Sequence, residues 1–307
     1  MPAIETTRLS KWYGSHRGIE DITLSVESGE VFGFLGPNGA GKTTLIRTLL
    51  DLLHPTSGSA TVLGLDSHHD RIEIRRRIGN LAGDFSYEPK RTGRELLSLI
   101  ARLRGVTDMD FAETLAERFN ADLDRPLGQL SRGNRQKIGL LQALFHRPDL
   151  LILDEPTGGL DPLMQEEFMT VISEQRERGC TVFISSHVLD EVQRMCDRAG
   201  IIRGGHLIAV EDIGELMRKS DRKVSLTLAD PTVDPGEFRE LAGVENFSAD
   251  GPEISFTHRG PIDPVVKRLA RHTVLELDLT HPSLEELFLA YYVDDAAETA
   301  GEGEAPR

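Results

Sequence analysis

Residues 36 to 44, Gly36-Pro37-Asn38-Gly39-Ala40-Gly41-Lys42-Thr43-Thr44, constrain this chain more than any other stretch. They fit the pattern Gly, four residues, Gly-Lys-Ser/Thr, which wraps a polyphosphate. The same letters could form a Gly-rich turn with a surface lysine, so the flanks matter. Val31-Phe32-Gly33-Phe34-Leu35 before it reads as a buried strand, and Thr44 to Leu50 after it reads as a helix. Glycines let the backbone close on phosphate oxygens, with successive amide N–H groups aimed at them. The helix N-terminus adds partial positive charge. Lys42 is placed to reach β- and γ-phosphates, and the Thr43 hydroxyl to ligate Mg²⁺.

A second buried strand ends in acid. Leu150-Leu151-Ile152-Leu153 is a continuous apolar run, as in a strand covered on both faces of a parallel sheet, and Asp154-Glu155 follow it. Two acids there could be a solvated rim. Ligands of open α/β sheets, however, bind at the carboxyl ends of strands. That makes Asp154 a candidate to hold Mg²⁺ with Thr43, and Glu155 a candidate to polarise an attacking water. A further strand, Thr181 to Ser185, ends at Ser186-His187. A lone histidine is more often structural or exposed, but His187 sits at the same sheet end and is placed to reach a γ-phosphate.

The rest of the chain frames these ends. Residues 4 to 30 alternate apolar and polar, predicting antiparallel strands with Trp12-Tyr13-Gly14 in a turn between them. An aromatic there suits either core packing or stacking on a base. A turn cluster, Pro55 to Ser59, precedes a short strand at Ala60 to Leu63. Residues 84 to 146 change character. Arg94 to Arg104 and Asp110 to Asn120 carry helical spacing, with Leu96, Leu97, Ile100 and Leu103 on one face. Near residue 220 the pattern resets into strand, helix, strand, strand, helix, strand, at Lys223–Leu228, Pro235–Leu241, Val244–Phe247, Glu253–Thr257, Pro264–Arg271 and Val274–Leu279. That order predicts a ferredoxin-like domain. Pro282 to Tyr292 reads as a closing helix, and the acidic, small-residue stretch 293 to 307 as a disordered tail.

Composition narrows the partners. A net charge of −15 argues against a nonspecific nucleic-acid binder and against a lysine-held membrane protein. No apolar run is long enough to cross a bilayer, and no basic, apolar leader opens the sequence, so the expected place is the cytoplasm. Cys180 and Cys196 have no metal-site spacing and read as reduced thiols.

The phosphate loop alone leaves many nucleotide-hydrolysing families open. Leu130-Ser131-Arg132-Gly133-Asn134-Arg135-Gln136-Lys137, then Leu153 and Asp154-Glu155-Pro156-Thr157, narrow the choice. This combination resembles the ATP-binding subunit of ABC transporters, whose signature reads Leu-Ser-Gly-Gly-Gln. Gly159-Leu160-Asp161 matches that family's D-loop, His187 its switch histidine, and Tyr13 the place of its base-stacking aromatic. The resemblance covers residues 3 to about 215. Thr280-His281-Pro282-Ser283-Leu284-Glu285-Glu286 looks like single-domain ATPases that serve separate ABC-2-type export permeases.

The resemblance implies an α/β fold of the P-loop type: a parallel-sheet core with an antiparallel β subdomain and a helical subdomain over residues 1 to 218. A small α+β domain follows over 219 to 292. It implies ATP and Mg²⁺ as cofactors, and a homodimer in which Ser131 and Gly133 of one subunit face the γ-phosphate held by the other. Hydrolysis would drive a separate integral-membrane permease from the cytoplasmic face of the membrane. Two departures stand out. Arg132 and Asn134 replace the first signature glycine and its glutamine. Where the family places a Mg²⁺-contacting glutamine, this chain has Gly83, with Asp84 adjacent as the expected oxygen ligand. The rival reading is an ABC-type ATPase that moves no solute and acts on ribosome or DNA. A single set of motifs, about sixty residues of helical insertion and an acidic charge favour transport. A small-molecule kinase is a weaker third reading, which the signature segment opposes.

Overall fold

The structure, a computed structural model, describes residues 1–83, 87–284 and 287. The chain divides into two compact units, Met1–Asp212 and Ile213 onward. The boundary at 218 read from the sequence thus falls near the end of the helix that opens the second unit.

The first unit begins with β1 (Pro2–Tyr13) and β2 (His16–Glu27), then β3 (Val31–Leu35) and helix α1 (Lys42–Leu49). Next come β4 (Ser57–Val62), β5 (Leu65–Asp66), α2 (Arg71–Arg77) and β6 (Ile78–Leu81). Helices α3 (Gly93–Arg104), α4 (Asp110–Arg118) and α5 (Arg132–Leu144) follow, and then β7 (Leu150–Asp154) and α6 (Pro162–Glu177). The unit closes with β8 (Thr181–Ser186), α7 (Leu189–Met195), β9 (Arg198–Arg203) and β10 (His206–Asp212).

Two sheets result. The antiparallel one runs β2-β1-β4-β5 and the larger one β10-β9-β3-β8-β7-β6, with β9, β3, β8, β7 and β6 parallel. Every residue of β3, β7 and β8 is buried, and for β7 the unbroken apolar run Leu150–Leu153 predicts a strand covered on both faces. A single core joins Ile4, Ile22 and Val26 of the antiparallel sheet to Phe32, Phe34, Ile152 and Phe183 of the parallel one. Leu45, Ile46 and Leu49 of α1 fill the space between them.

Helices α3, α4 and α5 form one excursion between the adjacent strands β6 and β7. A capping box fixes the start of α3: Thr92 accepts from the Glu95 amide and Glu95 from the Thr92 amide. Its buried face is Gly93, Leu97 and Ala101. Leu103 does not belong to it, contrary to the sequence reading, and is 78% exposed. Residues 97 and 101, one helical turn apart, set the phase, and Leu103 falls outside that stripe.

In the second unit, α8 (Ile213–Lys219) leads to β11 (Arg222–Leu228), α9 (Gly236–Arg239), β12 (Val244–Asp250), β13 (Glu253–His258), α10 (Asp263–Leu269) and β14 (Val274–Thr280). The strands align β12-β13-β11-β14, all antiparallel. That is the ferredoxin-like arrangement expected from the element order. Phe238, Val265 and Leu269 of the two helices cover Val224, Leu226, Ile254 and Phe256 of the sheet. Most of the expected closing helix and all of the acidic tail lie outside the described residues. Among those residues no helix is long and apolar enough to cross a membrane.

Candidate nucleotide site

The loop between β3 and α1 delivers Lys42 as the first residue of the helix, after Gly41 at φ +113°. That angle suits glycine alone, and an added Cβ would lie 2.6 Å from the Gly18 carbonyl oxygen. Lys42 is buried and donates to the Gly36 carbonyl at 2.6 Å and the Pro37 carbonyl at 3.3 Å. A cleft of about 300 Å³ opens over Pro37 to Thr44, and Tyr13 and Gly18 also line it. Tyr13 is 46% exposed, so it is not core filler. The Lys11 ammonium stands 5.7 Å from its ring centroid.

Parallel pairing sets the acids beside this loop. Leu35 of β3 is level with Ser186 of β8, and Ser185 with Asp154 of β7. The Thr43 hydroxyl donates to Asp154 Oδ2 at 2.8 Å, and the Ser185 hydroxyl donates to Oδ1 at 2.5 Å. The same Ser185 hydroxyl accepts from the Glu155 amide at 3.1 Å. Glu155 has φ +50°, an unusual angle for a side chain of this size and the kind of strain that gathers at functional positions. The turn aims its carboxylate back at the loop. Oε1 lies 3.2 Å from Lys42 Nζ, and Oε2 lies 2.5 Å from His187 Nδ1. Gln136 of α5 holds the turn from the other side, donating to the carbonyls of Glu155 at 3.1 Å and Pro156 at 2.8 Å.

The signature residues sit at the start of α5, where Ser131 caps the helix by accepting from the Asn134 amide at 3.2 Å. Gly133 is demanded by packing: a Cβ there would fall 2.5 Å from the Gly159 carbonyl oxygen. Neither Ser131 nor Gly133 lines the cleft over the phosphate loop. A broader cleft of about 830 Å³ joins Thr43, Asp154, Glu155 and His187 to Arg132 and Arg135. At Gly83 an added Cβ would stand 3.0 Å from Asp154 Oδ2. Asp84, the expected replacement oxygen ligand, lies outside the described residues.

The family described as "ABC transporter" matches residues 19–158. The bacitracin transport ATP-binding protein BcrA of Bacillus licheniformis is 33% identical over 293 residues, spanning 93% of this chain and 96% of that protein. The chain belongs to the ABC transporter ATP-binding proteins. The Nod factor export ATP-binding protein I of Rhizobium etli, another relative, is 30% identical over 94% of this chain and 93% of its own. A solved structure described as the ATP-binding subunit of an ABC transporter superposes with TM-score 0.64 at 29% identity, covering 70% of this chain and 92% of that one.

The chain is thus an ABC-type, transport-coupled ATPase that binds ATP. Sequence reasoning missed Ser185 and Gln136, which touch no phosphate motif and act through the backbone and carboxylate of the Asp154-Glu155 turn. Ser185 carries a faint signal in the sequence, as a hydroxyl directly after the apolar run Val182–Ile184 and two residues before His187. Cys180 and Cys196 are both free and buried, and burial pushes the Cys180 thiol up to about 12.

Proposed function

We propose that this ATPase drives a separate export permease from the cytoplasmic face of the membrane, working as a homodimer around two ATP molecules. One observation supports the reading: the ends of β3, β7 and β8 bring Lys42, Thr43, Asp154, Glu155 and His187 together, yet Ser131 and Gly133 stay out of the cleft over the phosphate loop. A signature that does not reach its own loop suits a site completed by a second copy, where the capped helix end offers amides to an anion. Export is the direction in the printed name of the Rhizobium relative, and transport is the role named for the Bacillus one.

Magnesium fits the residues present. Thr43 and Asp154 offer hard oxygens 2.8 Å apart, close to the spacing of about 2.9 Å between neighbouring ligands of an octahedral ion at 2.0–2.1 Å. These two residues would hold the ion, which when bound would neutralise charge on the phosphate oxygens. Lys42 binds the β- and γ-phosphates and leaves Glu155 to do so. Glu155 then orients the attacking water and takes its proton on a carboxylate oxygen. His187 holds the second oxygen of that carboxylate and meets the γ-phosphate. Tyr13 stacks on the base.

The test is to tag the chain, solubilise its native membranes in mild detergent, and identify what co-purifies. A stoichiometric polytopic membrane protein is expected. Ribosomal or DNA-repair proteins in its place would overturn the permease reading and leave the ATPase chemistry standing.

A further inference from the structure

Away from the nucleotide cleft, at the other end of α1, three side chains converge. Asp51 follows the helix with φ +52°, its amide bonded to the Thr48 carbonyl at 3.1 Å. His54 sits three residues on, its carbonyl held by the Lys11 ammonium at 2.6 Å. His68 arrives from the connection between β5 and α2, where its amide donates to Asp66 Oδ1 at 2.9 Å. Backbone contacts thus fix all three positions. The Asp51 carboxylate is 6% exposed, while the two imidazoles stand in solvent.

Asp51 Oδ1 lies 3.2 Å from His54 Nδ1 and 2.9 Å from His68 Nδ1, and the ligand atoms of the three residues fall within 4.8 Å of one another. Neighbouring ligands around a first-row metal ion, held at 2.0–2.1 Å, are about 2.9 Å apart in octahedral and about 3.4 Å in tetrahedral geometry. The two rings meet edge-on, centroids 4.9 Å apart.

We propose that Asp51, His54 and His68 form a binding site for a first-row transition-metal dication, zinc foremost, with its remaining positions open to water. Two imidazoles and one carboxylate select this class over magnesium or calcium, which take oxygen donors. The carbonyl end of α1 adds partial negative charge on the same side. Arg71 opposes by charge, with Nε 3.7 Å from Asp51 Oδ2, but it also leaves Oδ1 as the oxygen facing the rings. Arg75 is occupied by the carbonyls of Leu50 and Asp51. A bound ion would tie residues 51 to 54 to the β5–α2 connection, bracing the far end of the helix that carries Lys42 and Thr43.

The test uses the full chain, stripped by chelation and free of nucleotide and Mg²⁺. Zinc titrated calorimetrically should bind at one site per chain. Cobalt should give the ligand-field bands of nitrogen and oxygen donors. His54→Ala and His68→Ala, both at exposed positions, should each weaken zinc at least about tenfold and abolish the cobalt spectrum. Asp154→Asn should retain both signals, separating this site from the nucleotide cleft. Equal zinc affinity in wild type and both histidine variants, or binding only at millimolar zinc, would overturn the proposal and leave a carboxylate hydrogen-bonded to two surface histidines.

Discussion

Lys42 and His187 grip opposite oxygens of one carboxylate, Lys42 Nζ at 3.2 Å from Glu155 Oε1 and His187 Nδ1 at 2.5 Å from Oε2. In the proposed mechanism Lys42 serves phosphate and Glu155 serves water, so phosphate would compete with Glu155 for the same ammonium. Replacing Glu155 by Gln weakens that competition while removing the proton acceptor. Glu155→Gln should bind ATP at least as tightly as wild type and accumulate as a dimer on size exclusion. Phosphate release should fall roughly a hundredfold or more. Robust turnover by this variant would take the base assignment away from Glu155.

Ser185 is fully buried and serves two clients, the Asp154 carboxylate and the Glu155 amide. Ser185→Ala leaves a carboxylate oxygen without its hydroxyl donor. The expected cost is about 1–3 kcal/mol of stability, read as a lower thermal midpoint, with a fall in kcat that ATP affinity does not share. An unchanged midpoint together with unchanged kcat would show that the hydroxyl is dispensable.

The phase of α3 can be checked by a pair of truncations. Leu97 is buried, so Leu97→Ala should cost about 2–5 kcal/mol in denaturant unfolding. Leu103→Ala, on the exposed side, should stay within about 0.5 kcal/mol of wild type. Equal losses at the two positions would contradict the assigned face.

Acid should act through His146. Burial first, and then the charge of Arg104, push its pKa down from 6.5 to about 4. Its Nε2 faces the Ile78 carbonyl at 3.1 Å, and Nδ1 has no partner among the described residues. The folded chain thus resists protonation more than the unfolded one. The stabilisation is complete above pH 6.5 and is lost as pH falls towards 4, by roughly 3 kcal/mol in full. In His146→Gln the pH dependence of unfolding over that window should flatten by up to one proton. An identical slope in the variant would place the acid sensitivity elsewhere.

What could be read in advance followed the range of each signal. The phosphate loop is local, and the apolar run Leu150–Leu153 announces a strand buried on both faces whatever surrounds it. The second unit was legible in outline because the strands at its centre, β11 and β13, alternate buried and exposed residues. The Ser185 bridge was hidden because it depends on β7 and β8 pairing in one register. The left-handed turn at Glu155 follows from where that carboxylate must point, which no propensity encodes. Leu103 misled because a helix has several apolar diagonals, and the neighbour that packs against it chooses one. Asp51, His54 and His68 are separated by turns and a strand pair, so their convergence belongs to the fold.

The three helices between β6 and β7 leave the parallel sheet and return to its neighbouring strand. Their outer surfaces can therefore vary in sequence and length while strand register, and with it the spacing of Thr43, Asp154, Glu155 and His187, stays fixed. At the root of α5, Gln136 braces the Glu155 turn and ties the excursion to the site. A lineage could refit this arm to a new client and keep the same engine, provided that the Gln136 contacts and the signature residues at the root of α5 survive.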